Sequence, residues 1–412
     1  MKRVKGARRC LLTAVLAAVA VCLHCAHLSS IHPAAFRSTL QRHLRHLQFP
    51  PKEDCSCRRV LLYTGNYYEG FACAVHQLGL AQLAALASDR MLVVPDKDIW
   101  GYVSSKSCKQ RNWNCVFQPL SSCSEIEALK CNGKRLAVID AHQDHSIIAG
   151  ASPVVGFRPR GPSSTHGSIH ERLFGANGGL AQWIEDAGGV FQLRSEIQLW
   201  QWKLQPALER FADTQRAGLV RHGLGEHYMA VHVRASDNLE NTERDFGITA
   251  DSYSVHRLVG SLQSLAAHFG QRLHPGWRED IPVFVATDSQ PVIDELVQWE
   301  RERGAMEGGI RLVFDREATL RAAGKDQLLH RRNRKDSVPA SKVQHLTQDV
   351  IATISILSHA DVLLGSQISN VYRLAVELHC ARQGYAECLH AGSNGTAPGR
   401  VRSTDIPWYQ DP

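Results

Sequence analysis

The chain has 412 residues, 44% of them hydrophobic and 21% charged, which suits two ordinary globular domains and excludes a disordered polyelectrolyte. Of its net charge of +7, Lys2, Arg3, Lys5, Arg8 and Arg9 supply five, and the remainder carries only +2. Charge therefore gives no sign of a nucleic-acid partner.

Those cations precede an apolar run over residues 10–28, interrupted by His24 and His27. The pattern predicts a cytosolic tail (1–9) and a signal-anchor helix (10–28) that puts the rest of the chain in the lumen. The run is short for a span, as befits a thin secretory-pathway bilayer. No small-x-small cleavage site follows it, which favours an uncleaved anchor over a cleaved signal peptide. The expected location is the Golgi membrane, single-pass and type II, with the endoplasmic reticulum as the alternative.

Residues 29–54 are polar, contain Pro33, Pro50 and Pro51, and read as a stem. An N-terminal α/β lobe is expected over 55–215. It has strands at 59–64, 91–95 and 136–140, a turn at 65–70 and a small-residue helix at 72–88. Residues 150–179, rich in Gly, Pro and Ser, read as a long surface loop, and 180–211 as largely helical. Trp200 and Trp202 lie two apart and so do not share a helix face, which predicts one in the core and one exposed. The C-terminal lobe, 216–412, alternates more regularly. Strands at 229–233, 281–286, 310–314 and 361–364 are separated by helices at 250–269, 290–303, 346–358 and 370–379. Alternation of this kind predicts a Rossmann-type parallel sheet covered on both faces.

Nine cysteines follow the apolar run, seven of them within 55–131. In an oxidising lumen they read as disulfides stapling the N-terminal lobe, with Cys380 and Cys388 closing a small loop. The odd total leaves at least one thiol unpaired or intermolecular. Asn394-Gly-Thr396 is a sequon for N-glycosylation in a luminal loop.

In the second half, strand ends deliver His232 and Arg234, then Asp288. Asp349 stands near the start of its helix, and the loop 365–370 brings Ser369 and Asn370. Ligands of doubly wound sheets bind at the carboxyl ends of the strands. An arginine fork beside a helix N-terminus suits a phosphate. Taken singly, Asp288 and Ser369 also read as turn or N-cap residues, Arg234 as a salt-bridge partner of Asp237, and His232 as a core histidine. Their joint pattern points to a nucleotide-diphosphate ligand.

These segments together resemble a known family. His232-Val-Arg-Ala-Ser-Asp237, Val283-Phe-Val-Ala-Thr-Asp288, Ser358-His-Ala-Asp-Val-Leu-Leu364 and Ser369-Asn-Val-Tyr-Arg-Leu-Ala-Val-Glu377 occur in the order of motifs of the core α1,6-fucosyltransferases, relatives of the nodulation and protein O-fucosyltransferases. Gly70-Phe-Ala-Cys-Ala-Val-His76, Trp113-Asn-Cys-Val-Phe-Gln-Pro-Leu120 and Ser403-Thr-Asp-Ile-Pro-Trp-Tyr409 are similar to further segments of that family. The resemblance implies a two-lobed GT-B-like glycosyltransferase that moves L-fucose from GDP-fucose to a glycan, with inversion and without a metal. It assigns His232 and Asp349 to the guanine, and Arg234 to the β-phosphate. Ser369, Asn370 and the amides of Gly70, Phe71 and Ala72 assist Arg234, and Asp288 completes the donor site. Glu243 is the candidate base, with Asp237 and Glu240 as substitutes.

The chain departs from the family at Ala235, Asn238 and Ser289, and the family's coiled-coil stem and SH3-like domain are not expected in it. Three other readings stay open. One is a protein O-fucosyltransferase-like enzyme with the same donor. Another is an inactive glycan- or nucleotide-binding relative. The last is a metal-dependent transferase using Asp96 and Asp98.

Overall fold

A computed structural model describes residues 33–65, 70–95, 100–104, 106–130, 137–140, 154–158, 173–175, 177–234, 254–274, 277, 281–303, 309–315, 317–318, 340–388 and 400–404. The expected anchor, 10–28, and the sequon lie outside these residues. Among the described residues no helix is long and apolar enough to cross a membrane.

Two parallel sheets organise the chain. The first contains β1 (Val60–Tyr63), β2 (Met91–Val93), β3 (Ala137–Asp140) and β4 (Val154–Arg158) in the order β2-β1-β4-β3. The second contains β5 (Met229–Val233), β6 (Ile281–Thr287), β7 (Ile310–Phe314), β8 (Val362–Gly365) and β9 (Val401–Ser403) in the order β7-β6-β5-β8-β9. Every described pairing within the two sheets is parallel. Strands covered on both faces should be apolar throughout, and β1, β5 and β6 are buried along their whole length. Met229, Val231 and Val233 pack into a core on one face of the second sheet, while Ala230 packs into another with Phe284 and Leu363. The order of the second sheet reverses between β5 and β8, and such a switch opens a crevice at the carboxyl ends of those strands.

The α-helices among the described residues are α1 (Pro33–Gln48), α2 (Phe71–Ala87), α3 (Glu125–Leu129), α4 (Ala181–Ala187), α5 (Val190–Gln201), α6 (Pro206–Leu219), α7 (Val255–Leu273), α8 (Gln290–Arg303), α9 (Ala340–His359), α10 (Asn370–Gln383) and α11 (Tyr385–Cys388). The largest core joins the two halves. Val343, Ile351 and Ile354 of α9 and Leu374 and Leu378 of α10 pack with residues of α1, α2 and α5.

Several expectations are corrected. The expected stem contains α1, whose Phe36, Leu40, Leu44 and Leu47 are buried. Their spacing of four, four and three makes an apolar stripe on an otherwise polar helix. The expected surface loop 150–179 contains β4, a central strand whose Val154, Val155 and Phe157 are at most 1% exposed. The helical stretch after it divides into α4, α5 and α6. Between α4 and α5 stand Gly188 (φ 86°) and Gly189 (φ 140°), in a backbone region that favours glycine. Trp200 and Trp202 are both buried, because Trp202 lies just past the end of α5, where helical spacing no longer governs. Lys203 Nζ lies 3.5 Å from the Trp200 ring centroid. Strand β9 adds an edge to the second sheet that the sequence reading did not contain.

Cys55 pairs with Cys123, Cys108 with Cys115 and Cys380 with Cys388. Cys73 is a buried free thiol. Cys131 and the side chain of Cys57 lie outside the described residues.

Candidate active site

A cavity of about 330 Å³ lies at the carboxyl ends of β5 and β6 and reaches the first half of the chain through α2. Every expected donor-site residue lines it: Gly70, Phe71, Ala72, His232, Arg234, Asp288, Asp349, Ser369 and Asn370. A second, open depression of about 460 Å³ beside His43, Arg59, Asp89 and Trp183 contains none of them.

His232 is the penultimate residue of β5, opposite Ala286 on one side and Gly365 on the other. A Cβ at Gly365 would lie 2.5 Å from the Tyr372 ring and 2.9 Å from the His232 carbonyl oxygen, so glycine permits this close approach. Burial pushes the His232 imidazole down to about 4. The nearby Asp288 charge opposes that shift and Arg234 adds to it. The ring is thus neutral at pH 7, and its buried Nδ1 has no hydrogen-bond partner among the described residues. Such an atom is costly to leave unsatisfied and is ready for a ligand.

Arg234 follows β5 directly. Its Nη1 lies 3.6 Å from Asp288 Oδ2, with the two side chains 25% and 17% exposed. Its ion-pair partner is therefore Asp288, directly after the neighbouring strand β6. The expected alternative partner, Asp237, lies outside the described residues, as do Glu240, Glu243, Asp96 and Asp98. Asp349 is not near a helix start. Helix α9 begins at Ala340, so Asp349 stands in its middle, with Leu346, Val350 and Thr353 on the same cavity-facing side. Thr347 Oγ1 donates to the Tyr102 carbonyl at 2.6 Å, tying α9 to the first half of the chain at the cavity wall.

Two helices begin at this cavity. Gly70 is the N-cap of α2 and Ser369 the N-cap of α10. The segment expected as a glycine–cysteine–histidine loop is thus mostly helix, with Phe71 and Ala72 in its first turn. First-turn amides have no acceptor within their own helix and carry the positive end of its dipole. The Ser369 side chain makes no capping bond, and its buried Oγ has no hydrogen-bond partner among the described residues. Asn370 Oδ1 accepts from Arg373 Nη2 at 2.5 Å.

The lining is therefore two-sided in charge. Arg234 and two helix N-termini suit an anion, while Asp288, Asp349 and Asp315 suit a group rich in N–H or O–H donors. The sequence reading missed Asp315, whose Oδ1 accepts from the Ala318 amide at 2.9 Å. Asp315 ends β7 as Asp288 ends β6, so the same strand-end rule could have found it. Thr353, one helical turn after Asp349, was findable by spacing. Nothing in the local sequence marks Tyr102. Among the described residues no group of three or more His, Cys, Asp or Glu side chains is placed to hold a metal ion.

No curated protein matches the chain in sequence. Among solved structures, it is similar to a variant of Arabidopsis thaliana FUT1 in complex with GDP, at 11% identity and TM-score 0.45, over 83% of this chain and 73% of that one. It is also similar to NodZ alpha-1,6-fucosyltransferase soaked with GDP-fucose, at 12% identity and TM-score 0.41, over 78% and 93% of the two chains. POFUT1 in complex with GDP-fucose overlaps at 14% identity and TM-score 0.43, over 84% and 97%. All three are distant overlaps. Residues 22–151 match the family model of alpha-(1,6)-fucosyltransferase N- and catalytic domains, a stretch that includes Gly70 to His76 and Trp113 to Leu120 and ends before His232. Over residues 22–151, less than half of the chain, the sequence is thus similar to the alpha-(1,6)-fucosyltransferases, the family its motifs resemble.

Proposed function

We propose that the protein is an inverting fucosyltransferase that moves L-fucose from GDP-fucose to a glycan, with an α1,6-fucosyltransferase-like linkage. The observation that carries this reading is the meeting, in one cavity, of Arg234, two helix N-termini and a neutral His232 whose Nδ1 has no hydrogen-bond partner among the described residues. In this reading His232 and Asp349 hold the guanine, whose N–H groups suit a carboxylate. Arg234, Ser369, Asn370 and the first amides of α2 hold the diphosphate. An acceptor hydroxyl oxygen attacks fucose C1 on the face opposite the phosphate. The C1–O bond breaks with its electrons passing to GDP, and the hydroxyl proton passes to Glu243, or to Asp237. Fixed positive groups at the leaving diphosphate lower the barrier because they need no rearrangement as charge develops. No metal is required in this scheme.

The proposed domain division follows the two sheets, an N-terminal lobe over 55–215 and a donor-binding lobe over 216–412. We also propose a luminal, type II placement in the Golgi membrane. It is supported by the cations before the apolar run and by three disulfides, which persist in oxidising compartments.

The test is calorimetric titration of the full chain with GDP, GDP-fucose, GDP-mannose and UDP-sugars, with and without EDTA. Binding of GDP and GDP-fucose that is indifferent to EDTA supports the reading. Binding of a UDP-sugar alone, and only with metal, overturns it. Transfer assays then separate the acceptor classes. Fucose on a glycan fits the proposal, and fucose on a Ser or Thr hydroxyl replaces the glycan with a protein acceptor.

A further inference from the structure

On α10, beyond its cavity-lining start, lies a buried carboxylate that the mechanism does not use. Glu377, in the second turn of α10, has a side chain only 1% exposed. One oxygen lies 3.0 Å from His76 Nε2 on α2, and the other 3.2 Å from Arg194 Nη2 on α5. Burial alone would raise this carboxyl group. His76 and Arg194, with help from Arg373, more than offset burial and hold it below the usual carboxylate value.

The placement of the partners matters more than the charge. His76 is the sixth residue of α2, and both helices start at the cavity. The His76–Glu377 contact therefore joins, within two turns of their ends, the two helices whose first amides face the ligand, across a chain separation of 301 residues. Arg373, one turn before Glu377, holds the cavity-lining Asn370.

We propose that Glu377 is a positioning residue. Gripped by His76 and Arg194, it fixes the spacing between the N-termini of α2 and α10, and with it the affinity for the diphosphate of a nucleoside diphosphate. This inference rests on the donor-site reading above. Hydrogen bonds from amides weaken steeply with distance and angle, so two sets of amides grip one anion only at a set spacing. Either helix can keep its own fold while that spacing relaxes.

A second buried glutamate provides the control. Glu196 on α5 is also 1% exposed, accepts two bonds from Arg37 through Nε and Nη2, and accepts from Tyr385 Oη at 2.9 Å. That cluster ties α1 to α11, and none of its members lines the cavity. Losing either carboxylate should lower the melting temperature, but only loss of Glu377 should change nucleotide binding.

The experiment is calorimetric titration of GDP into the full chain, alongside thermal melts, for wild type, Glu377→Gln, His76→Leu, His76→Gln and Glu196→Gln. We expect roughly tenfold weaker GDP binding in Glu377→Gln and His76→Leu, since small misplacements of a binding group cost much affinity. His76→Gln can still donate to Glu377 and should recover most of the loss. Glu196→Gln should melt lower and bind GDP as wild type does. Wild-type affinity in both Glu377→Gln and His76→Leu overturns the inference, as does an equal loss in Glu196→Gln. If Glu377→Gln does not fold, the two His76 variants decide alone, because His76 is partly exposed and its replacement leaves Glu377 paired with Arg194. If wild type itself fails to bind GDP, the donor-site reading is what fails.

Discussion

The second sheet brings His232 near the end of β5, Arg234 after it, Asp288 after β6, Asp315 after β7 and Ser369 beyond β8, all to the cavity. Among the described residues, the first half of the chain reaches the same cavity with Gly70 to Cys73 at the start of α2 and with Tyr102. It carries two of the three disulfides among the described residues, and its Trp100, Trp113, Phe117 and Trp202 form one aromatic cluster with Phe71. Among the described residues, the second half thus supplies most of the polar side chains of the lining, and the first half supplies mainly the start of α2 and an aromatic wall.

The sharpest way to break that contrast is Arg234→Ala. GDP binding should weaken on the order of a hundredfold, because a charged hydrogen-bond donor to phosphate contributes about 3 kcal/mol. The melting temperature should stay near that of wild type. Unchanged affinity by calorimetry would remove Arg234 from the donor site.

The next effect belongs to the first half. Removing the Cys55–Cys123 bridge as Cys55→Ala/Cys123→Ala should cost about 4 kcal/mol in a chain-entropy estimate, since it closes a loop with a sequence separation of 68. Thermal melts should move down while the folded fraction still binds GDP. A drop in affinity equal to that of Arg234→Ala would mean that the wall and the chemistry are not separable.

Acidification should act on the second half. Burial holds His232, His359 and His379 at about 4, below the usual 6.5. Between those values the unfolded chain binds protons that the folded chain refuses. Their contribution to stability is therefore full above about pH 6.5 and is lost as pH falls toward 4. Denaturant melts from pH 7.5 to 4 should show this slope, and His379→Leu should flatten it. A slope unchanged in that variant would place the proton uptake elsewhere.

The smallest effect is expected for Asp315→Asn, which keeps an oxygen for the Ala318 amide but removes a charge from the lining. GDP affinity should change only severalfold, as for loss of one partly solvated polar contact. A loss as large as that of Arg234→Ala would promote Asp315 to a principal donor contact.

Much of this was readable along the chain, and the legible parts share a cause. Strands such as 229–233 and 281–286 are short apolar runs with polar residues at their carboxyl ends. Alternation with helices forces such strands into a parallel sheet whose ends converge. His232, Arg234, Asp288, Ser369 and Asn370 were found by that rule alone. Helix α1 was misread because its overall polarity outweighed a four-residue stripe. Strand β4 was missed because five residues between Gly, Pro and Ser show no period, and their burial comes from β1 and β3 on either side.

Local periodicity records how much of an element is covered, and that much the sequence by itself determined: the two α/β halves, most strands and helices, and the strand-end residues that line the cavity. What covers each element is decided by segments far away in the chain. Only the tertiary structure paired Cys55 with Cys123, buried Trp202, set Asp349 in mid-helix and put His76 against Glu377. The disulfide joins residues 68 positions apart and the His76–Glu377 contact residues 301 apart, and such contacts leave no period in either local sequence.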